Sequence, residues 1–544
     1  MTTRRNLLAS LGLSALGISA GAALSGCTPD TPTDAGGNTG GGGTTTNARP
    51  TYVGYTGVTP ALPGDPKLGI PNGFYDYPAS PAKLLAAPLP RTEPISVLSQ
   101  GAAPPLALDK SPRFKALCDL VSNDMQVSLT ISTEYTAKFQ TILAGSDIPD
   151  LVQVISAPEL PKLLESRFTD LGEFIGGDLV KDYPGLASIP TTAWSVPMLN
   201  GRLWGVPQAR PPAGTIMSTR GDILEKKGVD KNQSPKDGAE LLAFFTEITD
   251  PKSPIFAIGN EPSSWMLNML LEMTDAPNGW EESGGKFTNA IETPNYVAAI
   301  QHCKEFWDAG VFHPNAFAEP GSSSTWWQGG LTQVYTQAFT NWLYFTQRRP
   351  EFNMGRIDIP KWDGGGLATK HASVPGYGAY AAISKQSSPE RVKEILRVLD
   401  VLASPYGTQE YLDVNYGILG THYTMKDNVP ISIGEAVVQE PSIMTYFGTQ
   451  VLGDLTGPRE LVDLESAYLK QIMPTAKADA STGLYSATDT SKGAAFSRKA
   501  KDLVGEIVQG RSPLTAWDGL VKEWQSGIGK DIRSEYEQAF AAKQ

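Results

Sequence analysis

The 544-residue sequence is poor in the residues that metal and redox chemistry draw on, with three cysteines and four histidines. Three cysteines cannot build a disulfide framework. His302, His313, His371 and His422 stand at no mutual ligand spacing. Charge is scarce too, at 19% of residues, which excludes a coiled coil or a long solvated helix. What charge there is leans acidic: 57 acidic against 45 basic side chains leave a net charge of −12, without the footprint of a nucleic-acid binder. A Walker-type loop and a His-Glu-x-x-His helix are also missing. Three partial motif matches fail on context. Gly17-Ile18-Ser19-Ala20-Gly21 has nucleophile-elbow spacing but lies in an N-terminal apolar run. Gly376-Tyr377-Gly378-Ala379-Tyr380-Ala381 leads into a strand, so no helix N-terminus would face a pyrophosphate. Asp230-Lys231-Asn232 opens like a calcium loop, yet Pro235 and Leu241 occupy the positions that need Gly and Glu.

What is present begins with 40% apolar residues, enough for large cores and for two to four structural units at about 150 residues each. Arg4 and Arg5 precede an uncharged apolar run from Leu7 to Leu24, the layout of a secretory signal, and Thr3 to Leu8 resembles a twin-arginine export signal. Leu24-Ser25-Gly26-Cys27 resembles the bacterial lipobox, which implies cleavage after residue 26 and diacylation of Cys27. The run nearly spans a bilayer in length, but its Gly, Ala and Ser residues make it a weak anchor. Thr28 to Asn47 is Thr/Gly-rich and aperiodic, a flexible tether whose mean span is roughly 25 Å. Residues 1–26 are therefore read as signal peptide, 27–47 as tether, and the Pro-rich 48–90 as an extended wrap.

Regular structure starts next. Pro94 to Leu98 reads as a strand, and Phe114, Leu117, Leu120 and Val121 as a helix face. Val127, Leu129 and Ile131 alternate as a strand. Tyr135 to Leu143 is helical with Gly145 as its stop, and Leu151 to Ile155 is an apolar strand. This β-α-β-α-β order predicts a parallel sheet. Five Ser/Thr-Pro pairs predict helix starts, at Ser234, Thr293, Ser388, Ser404 and Ser512. Cys118 and Cys303 lie on apolar helix faces and read as free buried thiols, with a bridge between them the alternative that export permits. Trp307, Trp517 and Trp524 read as core.

Several segments, in order, resemble the extracellular solute-binding proteins of carbohydrate ABC importers, in their long lipoprotein branch. Ala144-Gly145-Ser146-Asp147-Ile148-Pro149-Asp150 behind its helix looks like the family's Ala-Ser-Gly-Asp-x-Pro-Asp. Leu203-Trp204-Gly205-Val206-Pro207 resembles its Tyr-Gly-Val-Pro segment, and Arg220-x-Asp222-Ile223-Leu224 its Arg-x-Asp-Trp-Leu. Trp307-x-x-Gly310-Val311 and Tyr416-Gly417-Ile418-Leu419-Gly420-Thr421-His422-Tyr423 match later motifs, and the stretch from Trp524 to Phe540 also fits. Leu419 stands where many relatives carry Glu. Some relatives bind calcium after the helix that here ends near Ile248, but Asp250-Pro251-Lys252-Ser253-Pro254 offers one carboxylate, too few ligands. The expectation is no metal and no cofactor.

The resemblance implies an α/β, two-lobed, type II periplasmic-binding-protein-like fold with a hinge and an inter-lobe cleft. It places residues 91–206 plus about 370–425 in lobe 1, and 207–369 plus about 426–544 in lobe 2. The implied function is a membrane-tethered receptor, monomeric and non-catalytic, passing a carbohydrate to ABC permease subunits. It touches the membrane only through its lipid and binds no nucleic acid. Alternatives are a polysaccharide-degrading lipoprotein enzyme or a receptor for a non-sugar solute. Sugar faces stack on aromatic rings while polar side chains meet the hydroxyls. The loop-borne candidates are Trp204, Trp265, Trp326, Trp327, Tyr377 and His422. Arg220 either meets ligand hydroxyls or pairs with Asp222.

Overall fold

The β-α-β-α-β order read after Glu93 is the nucleus of the first of two sheets in the computed structural model, which describes residues 49–374, 378–386, 388–450 and 453–542. Ser96–Gln100 pairs parallel with both Gln126–Thr130 and Leu151–Val154. The connecting helices are Pro112–Leu120 and Ser132–Ala144. Ser111 opens the first helix, its Oγ accepting the Phe114 amide at 3.1 Å with Pro112 at the first helical position. Two later strands complete the sheet in the order Gln126–Thr130, Ser96–Gln100, Leu151–Val154, Tyr380–Ile383, Val206–Pro207. Alternate residues go to opposite faces. Val97, Leu151 and Val206 join a core with Leu117, Ile395 and Leu399, whereas Leu98, Val152 and Val154 pack on Tyr135, Phe139 and Leu164. Cover on both faces explains why these strands read as nearly unbroken apolar runs.

The second sheet has the order Gly355–Ile357, Thr215–Thr219, Thr332–Ala338, Phe256–Ile258. Met217, Val334 and Ile258 face Phe245, Leu270 and Phe306, and Ile216 on the other face joins Trp327, Trp342 and Leu469. Helix starts divide. Thr293 and Ser388 cap Pro294–Asp308 and Pro389–Leu402 as expected. The other three pairs do not cap, because their hydroxyls are spent elsewhere. Ser234 donates to Asp358 Oδ2, Ser404 to the Val401 carbonyl and Ser512 to Glu506 Oε2. Those helices begin later, at Gly238, Gln409 and Ala516, the first two capped by Asp237 and Thr408.

Among the described residues, three chain crossings join the sheets within the unit Thr45–Gln544: residues 208–214, 358–374 with 378–379, and 448–450 with 453–454. The third corrects the boundary expected near 425. Met444 and Phe447 are 0% exposed in the first-lobe core, and the chain enters the second-lobe core only at Leu455. Residues 49–90 run mostly without regular structure along both lobes. Thr51 and Val53 donate to Gly177 and Ala187 of the first lobe, while Ile70 enters the second-lobe core and Gly73–Phe74 pairs with Leu455–Thr456.

The first and second crossings are locked together. Gly214 has φ +62°, and a Cβ there would lie 2.4 Å from the His371 carbonyl oxygen, so both backbone conformation and space demand glycine. Lys370 Nζ pairs with Glu272 Oε2 at 3.1 Å, each side chain only 4% exposed, and also donates to the Thr215 carbonyl. Glu272 Oε1 accepts the His371 amide at 3.1 Å. A buried charge pair with its remaining valences filled in this way holds the crossings to Leu267–Met273.

Candidate functional site

Packing decides what each sequence-derived candidate presents. The expectation that Trp204 and Trp327 offer free faces is corrected. Trp204 is 2% exposed in the core with Phe139 and Leu164, Arg202 lies over its ring at 4.6 Å, and its indole N–H donates to the Leu199 carbonyl. Trp327 is fully buried and stacks on Tyr335. Trp326 stacks on His313 at 3.8 Å between centroids, and desolvation lowers the pKa of that imidazole. His422 is fully buried. Its Nδ1 accepts the Ile418 amide, so the proton sits on Nε2, which lies 3.4 Å from Glu440 Oε1. Arg220 takes the structural option: both Asp222 oxygens are held at 2.7 Å, Nη1 donates to the Trp327 and Gln328 carbonyls, and the guanidinium covers Phe352 at 3.8 Å. Tyr377 and Cys27 lie outside the described residues.

Trp265 differs. It is 38% exposed, on a π-helical turn, Pro262–Met266, that follows the strand Phe256–Ile258. Wide turns of this kind recur at functional sites. Between strand and turn, the Asn260 amide continues the sheet ladder, its Nδ2 donating to the Thr336 carbonyl and its Oδ1 accepting the Thr336 amide.

Each sheet also holds buried polar side chains, Gln153 and Gln208 with the first and Thr336 and Gln337 in the second. Gln208 follows Val206–Pro207 and begins the first crossing; the crossing ends at Thr215, which pairs with Ala338 at the end of Thr332–Ala338. Gln153 is bracketed across Ala381 from Val206. Gln153 thus lies on the first sheet and Gln208 just beyond it, while Thr336 and Gln337, near the end of Thr332–Ala338, turn to opposite faces, Thr336 toward the core of Met217 and Gln337 toward that of Ile216. In open α/β sheets, ligands bind beyond the strand ends. Among the described residues, four buried atoms here lack a hydrogen-bond partner: Gln153 Nε2, Gln208 Nε2, Thr336 Oγ1 and Gln337 Oε1. An unpaired buried polar atom costs about 1–3 kcal/mol, so such a group points to a further partner. Sequence reasoning passed over these residues in favour of aromatics. One signal was legible: Gln153 is the single polar residue in the strand Leu151-Val152-Gln153-Val154.

A cavity of about 60 Å³ opens beside the crossings, lined by Tyr52, Asn72, Phe74, Arg210, Tyr406 and Asp454 among others. Burial pushes the Asp454 carboxyl up to about 7, and the Asn72 backbone hydrogen bond only partly offsets it. Cys118 and Cys303 are both free and buried. Asp250 turns its carboxylate onto its own loop, accepting the Lys252 amide and the Ser253 hydroxyl.

A structure similar to this one is the HMO-binding, ABC-transporter-associated solute-binding protein of Bifidobacterium longum infantis. It is 14% identical, the match covers 83% of this chain and 99% of that one, and the TM-score is 0.64. The fold is that of a two-lobed solute-binding protein. No protein-family profile matches the chain. Among curated proteins, this solute-binding fold is similar in sequence to two from Bacillus subtilis (strain 168). The polygalacturonan/rhamnogalacturonan-binding protein YtcQ is 22% identical over 457 residues, 79% of this chain and 88% of the relative. Lipoprotein LipO is 22% identical over 476 residues, 82% of this chain and 92% of the relative. The resemblance drawn from the sequence motifs thus agrees with the relatives found by comparison.

Proposed function

We propose that the chain is an extracellular receptor, tethered to the membrane through lipidated Cys27, that captures an oligosaccharide and delivers it to the permease of an ABC importer. The observation that carries the reading is the two-lobed architecture joined by chain crossings, with Trp265 open to solvent on the turn that follows a second-lobe strand end. Two lobes joined by crossing segments close over a solute as a hinge does. Sugar rings present apolar faces that an exposed indole can cover. A relative named for polygalacturonan/rhamnogalacturonan binding and a similar structure described as HMO-binding support a glycan over another solute. A relative named a lipoprotein supports the tether, and among the described residues no helix is long and apolar enough to cross a membrane. In this reading Trp265 supplies the stacking face, and the protein binds its ligand without changing it.

Incubation with a panel of oligosaccharides tests this. A receptor gives a raised melting temperature with ligand recovered intact. At a hundredfold excess over Kd, binding stabilises by about 2.7 kcal/mol. Appearance of shortened products would instead establish an enzyme.

A further inference from the structure

Resting on that receptor reading, we infer that Trp265 and Ile131 form the outer end of an elongated cleft, so that the receptor holds glycans of three or more sugar rings and passes over shorter ones. The inference comes from strand order and register. The first crossing links Pro207 to Thr215, and the second links Ile357 to Tyr380. In the first sheet these attachments fall on Val206–Pro207, the outermost strand, and on its neighbour Tyr380–Ile383, so Leu151–Val154, Ser96–Gln100 and Gln126–Thr130 all lie to one side of them. In the second sheet they fall on Gly355–Ile357 and Thr215–Thr219, with Thr332–Ala338 and then Phe256–Ile258 beyond. Each sheet is thus hinged at one edge, and the cleft between the joined strand ends lengthens away from it.

Register fixes which ends face the crossings. Val206–Pro207 and Leu151–Val154 are both antiparallel to Tyr380–Ile383, and Ser96–Gln100 is parallel to Leu151–Val154 and to Gln126–Thr130, so Pro207, Val154, Gln100 and Thr130 all end on the crossing side. Thr215 pairs with Ala338, and Thr332–Ala338 is parallel to Phe256–Ile258, so Ala338 and Ile258 end there too. Both strands farthest from the hinge lead into an exposed apolar residue. Ile131, 44% exposed, directly follows Gln126–Thr130, and Trp265 lies on the turn after Phe256–Ile258. Two routes give the reach from the crossings to that indole. Phe256–Ile258 is two strands from Thr215–Thr219, about 10 Å at a spacing of about 4.8 Å. Glu272, which pairs with Lys370 of the second crossing, comes seven residues after Trp265 where Pro262–Met266 runs straight into Leu267–Met273, again about 10 Å at about 1.5 Å per residue. Each pyranose advances a glycan chain by about one strand spacing, so a ring at the crossings and a ring on the indole need a third between them. A mono- or disaccharide reaches only one of the two ends.

Calorimetric titration of the full chain with malto-, xylo-, manno-, galacto- and galacturono-oligosaccharides, each series running from the monosaccharide to the hexasaccharide, tests the inference. In a series that binds, affinity should climb at least about tenfold between the disaccharide and the tetrasaccharide. Trp265→Ala should remove most of that climb while changing disaccharide affinity by less than about twofold, and Ile131→Ala should lower tetrasaccharide affinity by about two- to fivefold. Both side chains are exposed, so both variants should keep nearly the full melting temperature. A mono- or disaccharide that binds as tightly as the longer members overturns this inference and leaves the receptor reading standing. So does an equal loss for short and long ligands in Trp265→Ala, or unchanged tetrasaccharide affinity in both variants. Binding of no glycan in any series overturns the receptor reading, and this inference with it.

Discussion

Glu465 sits on Arg459–Ile472 with 0% exposure, between Val462 and Leu469 of the second-lobe core, and neither carboxyl oxygen has a hydrogen-bond partner among the described residues. Burial pushes its carboxyl well above the ordinary value of 4.5. In the unfolded chain the same group ionises near 4.5, whereas in the folded protein it keeps its proton. The unfolded state then binds fewer protons than the folded one at neutral pH. Stability is therefore lost as pH rises above about 4.5, until the folded-state carboxyl itself ionises. One proton's difference corresponds to about 1.4 kcal/mol per pH unit within that window. The perturbation is Glu465→Gln, which keeps shape and polarity but cannot ionise. Thermal melts of wild type and variant from pH 5 to pH 8 are the assay. At pH 5 the two should differ by less than about 1 kcal/mol, and the variant should pull ahead steadily as pH rises. Glu465→Met, which also removes the unpaired polar atoms, should gain about 1–3 kcal/mol beyond that. Parallel melting curves for wild type and Glu465→Gln across the range would contradict a buried, protonated Glu465, because they require the same protonation of that carboxyl in both states.

Glu272→Ala should cost about 3–5 kcal/mol in chemical denaturation, because it strands the buried Lys370 ammonium at the crossing; a loss under 1 kcal/mol would show that the pair is dispensable. Cys27→Ala should move the protein from the membrane fraction to the supernatant, since two acyl chains are what hold a tethered protein stably; sedimentation with membranes after a salt wash would contradict the lipobox. A chelator should leave the melting temperature unchanged, because the Asp250 carboxylate is committed to its own turn; a drop of several degrees would reveal a metal.

Local and medium-range order was legible in the sequence. The first sheet's strands, the helices between them and the Ser388 and Thr293 caps all follow from patterns a few residues wide. The misses needed tertiary partners. Nothing local says that Ser404 will donate back to Val401, closing the preceding helix and leaving Thr408 to open the next. Nothing local separates Trp204, sealed by Phe139 and Leu164, from Trp265, which stays open to solvent, since both stand near Gly and Pro. Arg220 could be weighed because its partner is only two residues away at Asp222, but the Trp327 and Gln328 carbonyls that finish the bond set are more than a hundred residues on. The amides are the clearest case. Gln208 and Gln337 are unremarkable in composition, and only sheet register shows that one opens the first crossing while the other lies near the end of Thr332–Ala338.

In the proposed receptor, glycan is captured beside Trp265. Fluorescence or calorimetric titration of Trp265→Ala and Trp204→Ala with a glycan that binds wild type separates a binding face from a core ring. Trp265→Ala should keep nearly its full melting temperature and lose roughly ten- to thirtyfold in affinity, the equivalent of about 1–2 kcal/mol of stacking on an indole. Trp204→Ala, cut from a packed core, should instead lose about 3–5 kcal/mol of stability. Wild-type affinity in Trp265→Ala would contradict the placement of the site.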